Sequence, residues 1–268
     1  MILRRVLFAL AFLLAGWASE PSWSQSVQPG AATSHAAQRA GTRPANFDGT
    51  NDYLSRGAQL TGVADTTTGL HFLSFRVLGG AGTTRLLTQT PGVGQPISIY
   101  LSVANLIVAT FTDPLGTVVF TATNSTPITD TNWHNMLIGC DTTQLSKCKI
   151  YFDGADETTG AAALGLSIDY TTSNWFIGAN ILGSQNANVD MAVYYFSTEF
   201  LDITTEANRR KFVDAAGRPV PLGAKCERPT GSQPIICLNN PPSSFHINKG
   251  SGGDFTVNGS LSASTSAP

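Results

Sequence analysis

Hydrolysis by paired carboxylates needs two acids held apart across the scissile bond. The acids that lie close together in this chain, Asp153, Asp156 and Glu157, crowd one turn and cannot straddle a bond. Glu199 and Asp202 stand just ahead of a helical stretch, where capping or solvation is their ordinary role. The histidines at 35, 71, 134 and 246 are scattered, and no G-x-S-x-G nucleophile elbow occurs. Gly79–Gly82 precedes no helix, so it reads as a loop rather than a phosphate cradle. The cysteines fall in two close pairs, Cys140 with Cys148 and Cys226 with Cys237, neither with the C-x-x-C spacing of a redox or zinc site. No catalytic constellation stands out. Aromatic side chains offer sugar stacking instead, with Trp175, Tyr194, Tyr170 and Tyr100 as candidates. Trp133 and Trp175 also suit core positions at strand starts.

The clearest structural signal around these groups is Trp133–Gly154, WHNMLIGCDTTQLSKCKIYFDG, which carries His134, Cys140, Cys148 and Asp153. Apolar residues alternate in both arms, as in a half-buried β-hairpin. With Cys140 facing Cys148, antiparallel register sets Ile138 opposite Ile150 and Met136 opposite Phe152. All share one face with the cysteines, because side chains repeat every second position. Leu137 and Tyr151 lie on the other face. A one-residue slip would expose the Ile/Met/Phe face. A disulfide closing so short a loop contributes roughly 2–3 kcal/mol in the chain-entropy model. Asp153-Gly154 supplies the next turn.

The chain has 268 residues, 13% of them charged, with a net charge of −2 and no basic block. That balance argues against a nucleic-acid partner. Residues 1–24 read as an export signal: Arg4 and Arg5 precede the apolar run Val6–Ala15, and small residues follow at Gly16 and Ala18. The run is shorter than the about 20 apolar residues of a spanning helix, so no membrane span is expected once the signal is cleaved. An even cysteine count in an exported chain predicts disulfides. Three connectivities are possible, and the two local pairs Cys140–Cys148 and Cys226–Cys237 are favoured. The expected location is secreted or periplasmic. Residues 25–43 form a linker of small polar residues, expected to be disordered.

From residue 44 onward, strand-like segments recur about every ten residues with turn signals between them, the pattern of an all-β sandwich or barrel. In Leu70–Val77 the set His71, Leu73, Phe75 and Val77 is expected to face the core. Further strands are expected at Thr84–Gln89, Ile97–Val103, Leu106–Phe111, Val118–Ala122, Ala162–Ile168, Asn174–Gly178 and Val189–Ser197. One short helix follows, capped by Thr204 or Thr205, with Glu206 in its first turn, Phe212, Ala215 and Ala216 on its apolar edge, and Gly217 as its stop. Residues 218–258 are expected as an extension of short strands packed on the sandwich, including Ile235–Leu238, Phe245–Asn248 and Phe255–Asn258. Residues 259–268 are expected as a flexible tail.

Four stretches then stand in a telling order: Phe47-Asp48-Gly49 with Asn51-Asp52-Tyr53; Trp133-His134; Lys149-Ile150-Tyr151-Phe152-Asp153-Gly154; and Trp175-Phe176-Ile177-Gly178 followed by Val189-Asp190-Met191-Ala192-Val193-Tyr194. In this order they resemble the laminin-G-like, concanavalin A-like lectin/glucanase superfamily over residues 45–216. The resemblance implies a jelly-roll β-sandwich of two antiparallel sheets, with one short helix near the end of the domain over 44–217. It implies binding of a glycan or a surface protein, with no cofactor other than calcium. Carried over residue by residue, the calcium ligands are Asp48, Asn51, Asp52 and Asp190; the alternative is that these are turn residues bonding backbone. The hydrolases of the superfamily carry an E-x-D-x-E or E-x-D-x-x-E strand, which this sequence lacks, so a non-enzymatic module is expected. The segment after Gly217 also resembles the tails of bacterial and phage-like proteins, which implies a structural role in an envelope or particle. A divergent glycan-active hydrolase or lyase is the third reading. The sequence sets neither the ligand nor the oligomeric state.

Overall fold

The computed structural model describes residues 43–79, 84–89, 96–180 and 182–268. The expected export signal, and all of the linker except Arg43, lie outside the described residues. Sixteen strands follow in order: β1 (Ala45–Asp48), β2 (Tyr53–Arg56), β3 (Thr68–Val77), β4 (Thr84–Gln89), β5 (Ile97–Leu101), β6 (Ile107–Thr112), β7 (Val118–Asn124), β8 (His134–Asp141), β9 (Lys149–Phe152), β10 (Ala155–Asp156), β11 (Thr158–Ala163), β12 (Trp175–Ile177), β13 (Asn188–Ser197), β14 (Ile236–Leu238), β15 (Thr256–Asn258) and β16 (Ser262–Ala263). One helix, α1 (Glu206–Arg209), lies between β13 and β14. The first sheet runs β10-β9-β8-β3-β13-β1-β16, with β14 also on β13; the second runs β11-β7-β6-β5-β4-β12-β2-β15. Every pairing is antiparallel. Among the described residues no helix is long and apolar enough to cross a membrane.

The hairpin of β8 and β9 has the expected register, with Met136 opposite Phe152, Leu137 opposite Tyr151 and Ile138 opposite Ile150. Cys140 and Cys148 are joined, as are Cys226 and Cys237. The turn into β10 needs two successive left-handed residues, supplied by Asp153 (φ 48°) and Gly154 (φ 86°). The main core fills the space between the sheets. Phe47, Phe75, Met136, Ile138 and Ile150 meet Ile99, Phe111, Phe120, Trp175 and Ile177 there, all with no exposed surface.

The expected set of β3 faces the main core, and the opposite face is buried as well. Leu73 and Phe75 do enter the main core, but Leu70 and Phe72 are equally buried in a second cluster on the opposite side of the first sheet. The second cluster holds Leu137, Tyr151, Tyr195, Ile203, Phe212, Val213, Leu222 and the Cys226–Cys237 bridge. The chain after β13 therefore covers the outer face of the first sheet. A strand buried on both faces carries apolar residues on both.

The C-terminal expectations are corrected in two ways. Within residues 218–258, β14 pairs with Tyr194–Phe196 of β13, beyond the Met191–Asn188 stretch that β1 occupies, and β15 adds to β2. Phe245 belongs to no strand; it follows a single 3-10 turn, Pro242–Ser244, and packs edge-on against Phe47 with ring centres 6.2 Å apart. Residues 259–268 are not a free tail, because β16 pairs with β1 and Ser264 is buried. The helix is also shorter than expected. It spans four residues, and Thr205 caps it through backbone position without a side-chain bond. Phe212 lies beyond the helix, and the chain turns at Gly217 (φ 73°).

Candidate functional site

The outer face of the second sheet is built from the residues that alternate with the core set. Register places Ser55 beside Phe176, Phe176 beside Thr88, Thr88 beside Ser98, Ser98 beside Thr110 and Thr110 beside Thr121. A hydroxyl-rich row with one aromatic ring thus crosses β2, β12, β4, β5, β6 and β7. The neighbouring row sets Arg85 beside Tyr100, Tyr100 beside Val108 and Val108 beside Thr123. The Arg85 guanidinium carbon lies 4.5 Å from the centre of the Tyr100 ring. Its Nε donates to Gln185 Oε1 at 3.0 Å and its Nη1 to Ser98 Oγ at 2.5 Å.

A cleft of about 480 Å³ opens beside this face, lined by Asp48, Thr50, Ser184, Gln185, Asn186 and Asn188 among others. The loop on its rim is held by Asn180, whose Oδ1 accepts from the amides of Leu182 and Ser184 and from the Ser184 hydroxyl. Asn186 Nδ2 donates to the Thr50 carbonyl, tying this loop to the turn after β1. Asn186 Oδ1 is buried without a partner among the described residues. Gly49 (φ 76°) is required where that turn passes β13, because a Cβ there would lie 2.8 Å from Asn188 Cβ. A second hollow of about 400 Å³ lies by Pro44, Val193, Pro219 and Pro221; its Asp214 and Arg218 are paired with each other at 2.8 Å.

The four candidate calcium ligands are placed as follows. Asp48 Oδ1 accepts from the amides of Thr50 and Asn51, a side-chain-supported turn. Asp52 accepts from the amides of Asp48 and Ser260. Asp190 is fully buried on β13, where its carboxylate receives Arg76 Nε at 2.5 Å, Ser264 Oγ at 2.6 Å and Asn46 Nδ2 at 2.9 Å. Asn51 is exposed and forms part of the Asp48 turn. Among the described residues no group of three or more His, Cys, Asp or Glu is placed to hold a metal. Calcium against chelator is therefore expected to leave the melting temperature unchanged; an upward shift of several degrees, as a folded-state ligand would give, would contradict this.

The remaining acids of interest are engaged. Asp156 pairs with Lys149 at 2.9 Å, Glu157 accepts from the Thr126 amide, and Asp202 pairs with Lys147. Asp153 accepts from the Asn135 amide and meets His134 Nδ1 at 2.7 Å, while Asp130 meets Nε2 at 2.9 Å. Burial pulls the His134 pKa down, but its hydrogen bonds to Asp153 and Asp130 outweigh this and leave it above 6.5. A raised folded-state pKa gives stability that is full below the unfolded value and is lost as pH rises through the folded one. Wild type should therefore lose stability relative to His134→Gln as pH climbs upward from about 6.5. Parallel unfolding curves across that range would refute the coupling.

Of the stacking candidates, Trp175, Tyr194 and Tyr170 are fully buried in the core, and only Tyr100 reaches the outer face. Burial pushes the Tyr170 and Tyr194 hydroxyls far above 10, and it holds His71, stacked on Phe196, neutral with a pKa near 3. Sequence reading missed Arg85, Ser98 and Gln185. Their one local signal is the alternation of β4 and β5, which turns Ser98 and Tyr100 to the same face.

No family model and no curated protein sequence matches this chain. Solved structures do. A candidate carbohydrate-binding protein from Bacteroides ovatus superposes with a TM-score of 0.58 at 13% identity, over 84% of this chain and 60% of that one. The chain thus spans 60% of that protein's length. A heptameric SAP-like pentraxin from Limulus polyphemus matches with a TM-score of 0.46 at 12% identity, over 60% of this chain and 78% of that one. The mouse laminin α1 chain, domains LG4-5, matches with a TM-score of 0.44 at 18% identity, over 60% of this chain and 43% of that one. Identity this low speaks to the fold alone, and with the two antiparallel sheets described above it places the chain in the jelly-roll β-sandwich fold.

Proposed function

We propose that this chain is an exported, non-enzymatic recognition module that binds glycan at the cleft beside the second sheet. One observation carries the reading: the cleft is lined by side-chain amides and hydroxyls, those of Thr50, Ser184, Gln185, Asn186 and Asn188. Such groups pair with sugar hydroxyls as both donors and acceptors. Asn186 also ties the rim loop to the turn after β1 through the Thr50 carbonyl, so the shape of the cleft depends on it. Two disulfides fit an oxidising compartment outside the cytosol. The likeness in fold to a candidate carbohydrate-binding protein supports the same reading. The test is a glycan array with the full mature chain and its Asn186→Ala variant. Discrete binding that falls about tenfold or more in the variant, as loss of a buried hydrogen-bonding group gives, supports it; absence of binding to any glycan refutes it.

A second reading, a structural protein of an envelope or particle, has one observation in its favour. Leu115, Val118, Leu145, Leu164 and Leu166 are all exposed, with Leu115 at 85%. Backbone bonds from Leu164 to Val119 and from Gly165 to Thr142 bring their loops to one end of the sandwich. Contiguous exposed apolar side chains mark contact surfaces. Light scattering that finds large assemblies, together with an empty glycan array, would favour this reading over the first.

A further inference from the structure

Arg85 stands out on the outer face. Among the described residues it has no acidic partner, while its neighbours there are hydroxyls, amides and rings. Two of its nitrogens are held, Nε by Gln185 and Nη1 by Ser98, and its plane rests on Tyr100. The third, Nη2, has no partner among the described residues. Gln185 braces this arrangement, its Oε1 also accepting from Asn180 Nδ2 at 3.2 Å. Its carbonyl accepts from the Arg85 amide at 3.2 Å and its side chain from Nε, while its own backbone sits at φ 55°. A non-glycine residue in that region is strained, and such strain clusters where a side chain must be aimed. Gln185 lines the polar cleft and Arg85 does not, so the guanidinium meets the cleft through its bond to Gln185. Asp48 is the one acid in that lining, and its Oδ1 is already bonded to the turn after β1.

A charge lifted partly out of water needs a counter-charge or strong hydrogen bonds to its charged form. Here burial lowers the Arg85 pKa and no described carboxylate offsets it. The site is pre-organised, because an arginine already fixed by two bonds and a ring loses little freedom when it receives an oxyanion. We infer that the bound glycan is acidic, carrying a carboxylate or a sulfate, and that Arg85 receives that group while the sugar ring extends into the cleft. The inference rests on the glycan reading above and narrows it.

The test pairs acidic oligosaccharides with their own neutral counterparts: uronate-bearing chains against carboxyl-reduced ones, and sulfated chains against desulfated ones. Affinity is measured by titration calorimetry on the full mature chain at low and high salt. The acidic member of a pair should bind tenfold or more tighter, and the preference should shrink as salt screens it. Which pair shows the preference tells carboxylate from sulfate. Arg85→Gln should abolish the preference. Gln185→Gly, a residue at home at φ 55°, keeps the charge but frees the guanidinium and removes one cleft amide, so it should weaken acidic glycans by a severalfold larger factor than their neutral counterparts. Equal affinity for both members of every pair overturns the inference and leaves glycan binding standing. A preference that survives in Arg85→Gln overturns the role of Arg85. Binding of no glycan at all overturns both readings.

Discussion

Asp190→Ala should lower the unfolding free energy by about 3–5 kcal/mol, the cost of removing one partner of a buried ion pair. Asp190 has no exposed surface, and the Arg76 side chain is only 15% exposed. Their register neighbours are Asn46 on β1 and, beyond it, Ser262 on β16, so one polar row crosses three strand pairings of the first sheet. The variant strands Arg76 in that row and releases Asn46 and Ser264 as well. Urea unfolding should show a lower midpoint with an unchanged slope. The double variant Asp190→Ala with Arg76→Met should recover much of the loss, since it removes the stranded charge. Ser264→Ala should cost less, about 1–2 kcal/mol, and deletion of 260–268 more than that. A deletion that leaves the midpoint in place would mean that residues 260–268 are the free tail their composition suggests.

That tail illustrates where sequence reading stops. Small polar residues without periodicity look unstructured, because nothing local gives them burial. Ser264 is ordered by a carboxylate 74 positions away, and Ser260 by Asp52, 208 positions away. The hairpin of β8 and β9 lies at the other extreme. Its alternation, polar tip and close cysteines act within twenty residues, so register and disulfide were both legible. The two sheets were legible in class from strand spacing, while their order was not, since β3 pairs with β13 across more than a hundred residues. Asp190 was offered as a calcium ligand by the resemblance, and its strand alternates cleanly. What the alternation could not tell was that the outer face of the first sheet is itself covered. Arg85 was silent for a related reason: an arginine on a strand reads as solvated until the absence of a nearby acid is seen in space.

Phe212→Ala is the second large effect expected, about 3–5 kcal/mol, the range for emptying a buried aromatic site. Phe212 has no exposed surface and lies against Phe72 and Tyr195, with ring centres 5.1 Å and 5.3 Å away. It is the hinge of the second cluster, which joins the chain after β13 to the outer face of β3, β8 and β9. The manner of unfolding matters as much as the size of the loss. If residues 198–258 were an extension docked on a complete sandwich, the variant would release them first, and two transitions would appear. The structure argues otherwise. Stripping that segment would expose Leu70, Phe72, Leu137, Tyr151 and Tyr195 together, and would remove β14 from β13 and β15 from β2. The main core also reaches into it through Ile236, Leu238, Phe245 and Phe255. Calorimetry of the variant should therefore show one transition at a lower temperature, with calorimetric and van't Hoff enthalpies in agreement. A biphasic melt, with the hairpin and β3 still protected from hydrogen exchange after the first phase, would show that the sandwich stands without its cover.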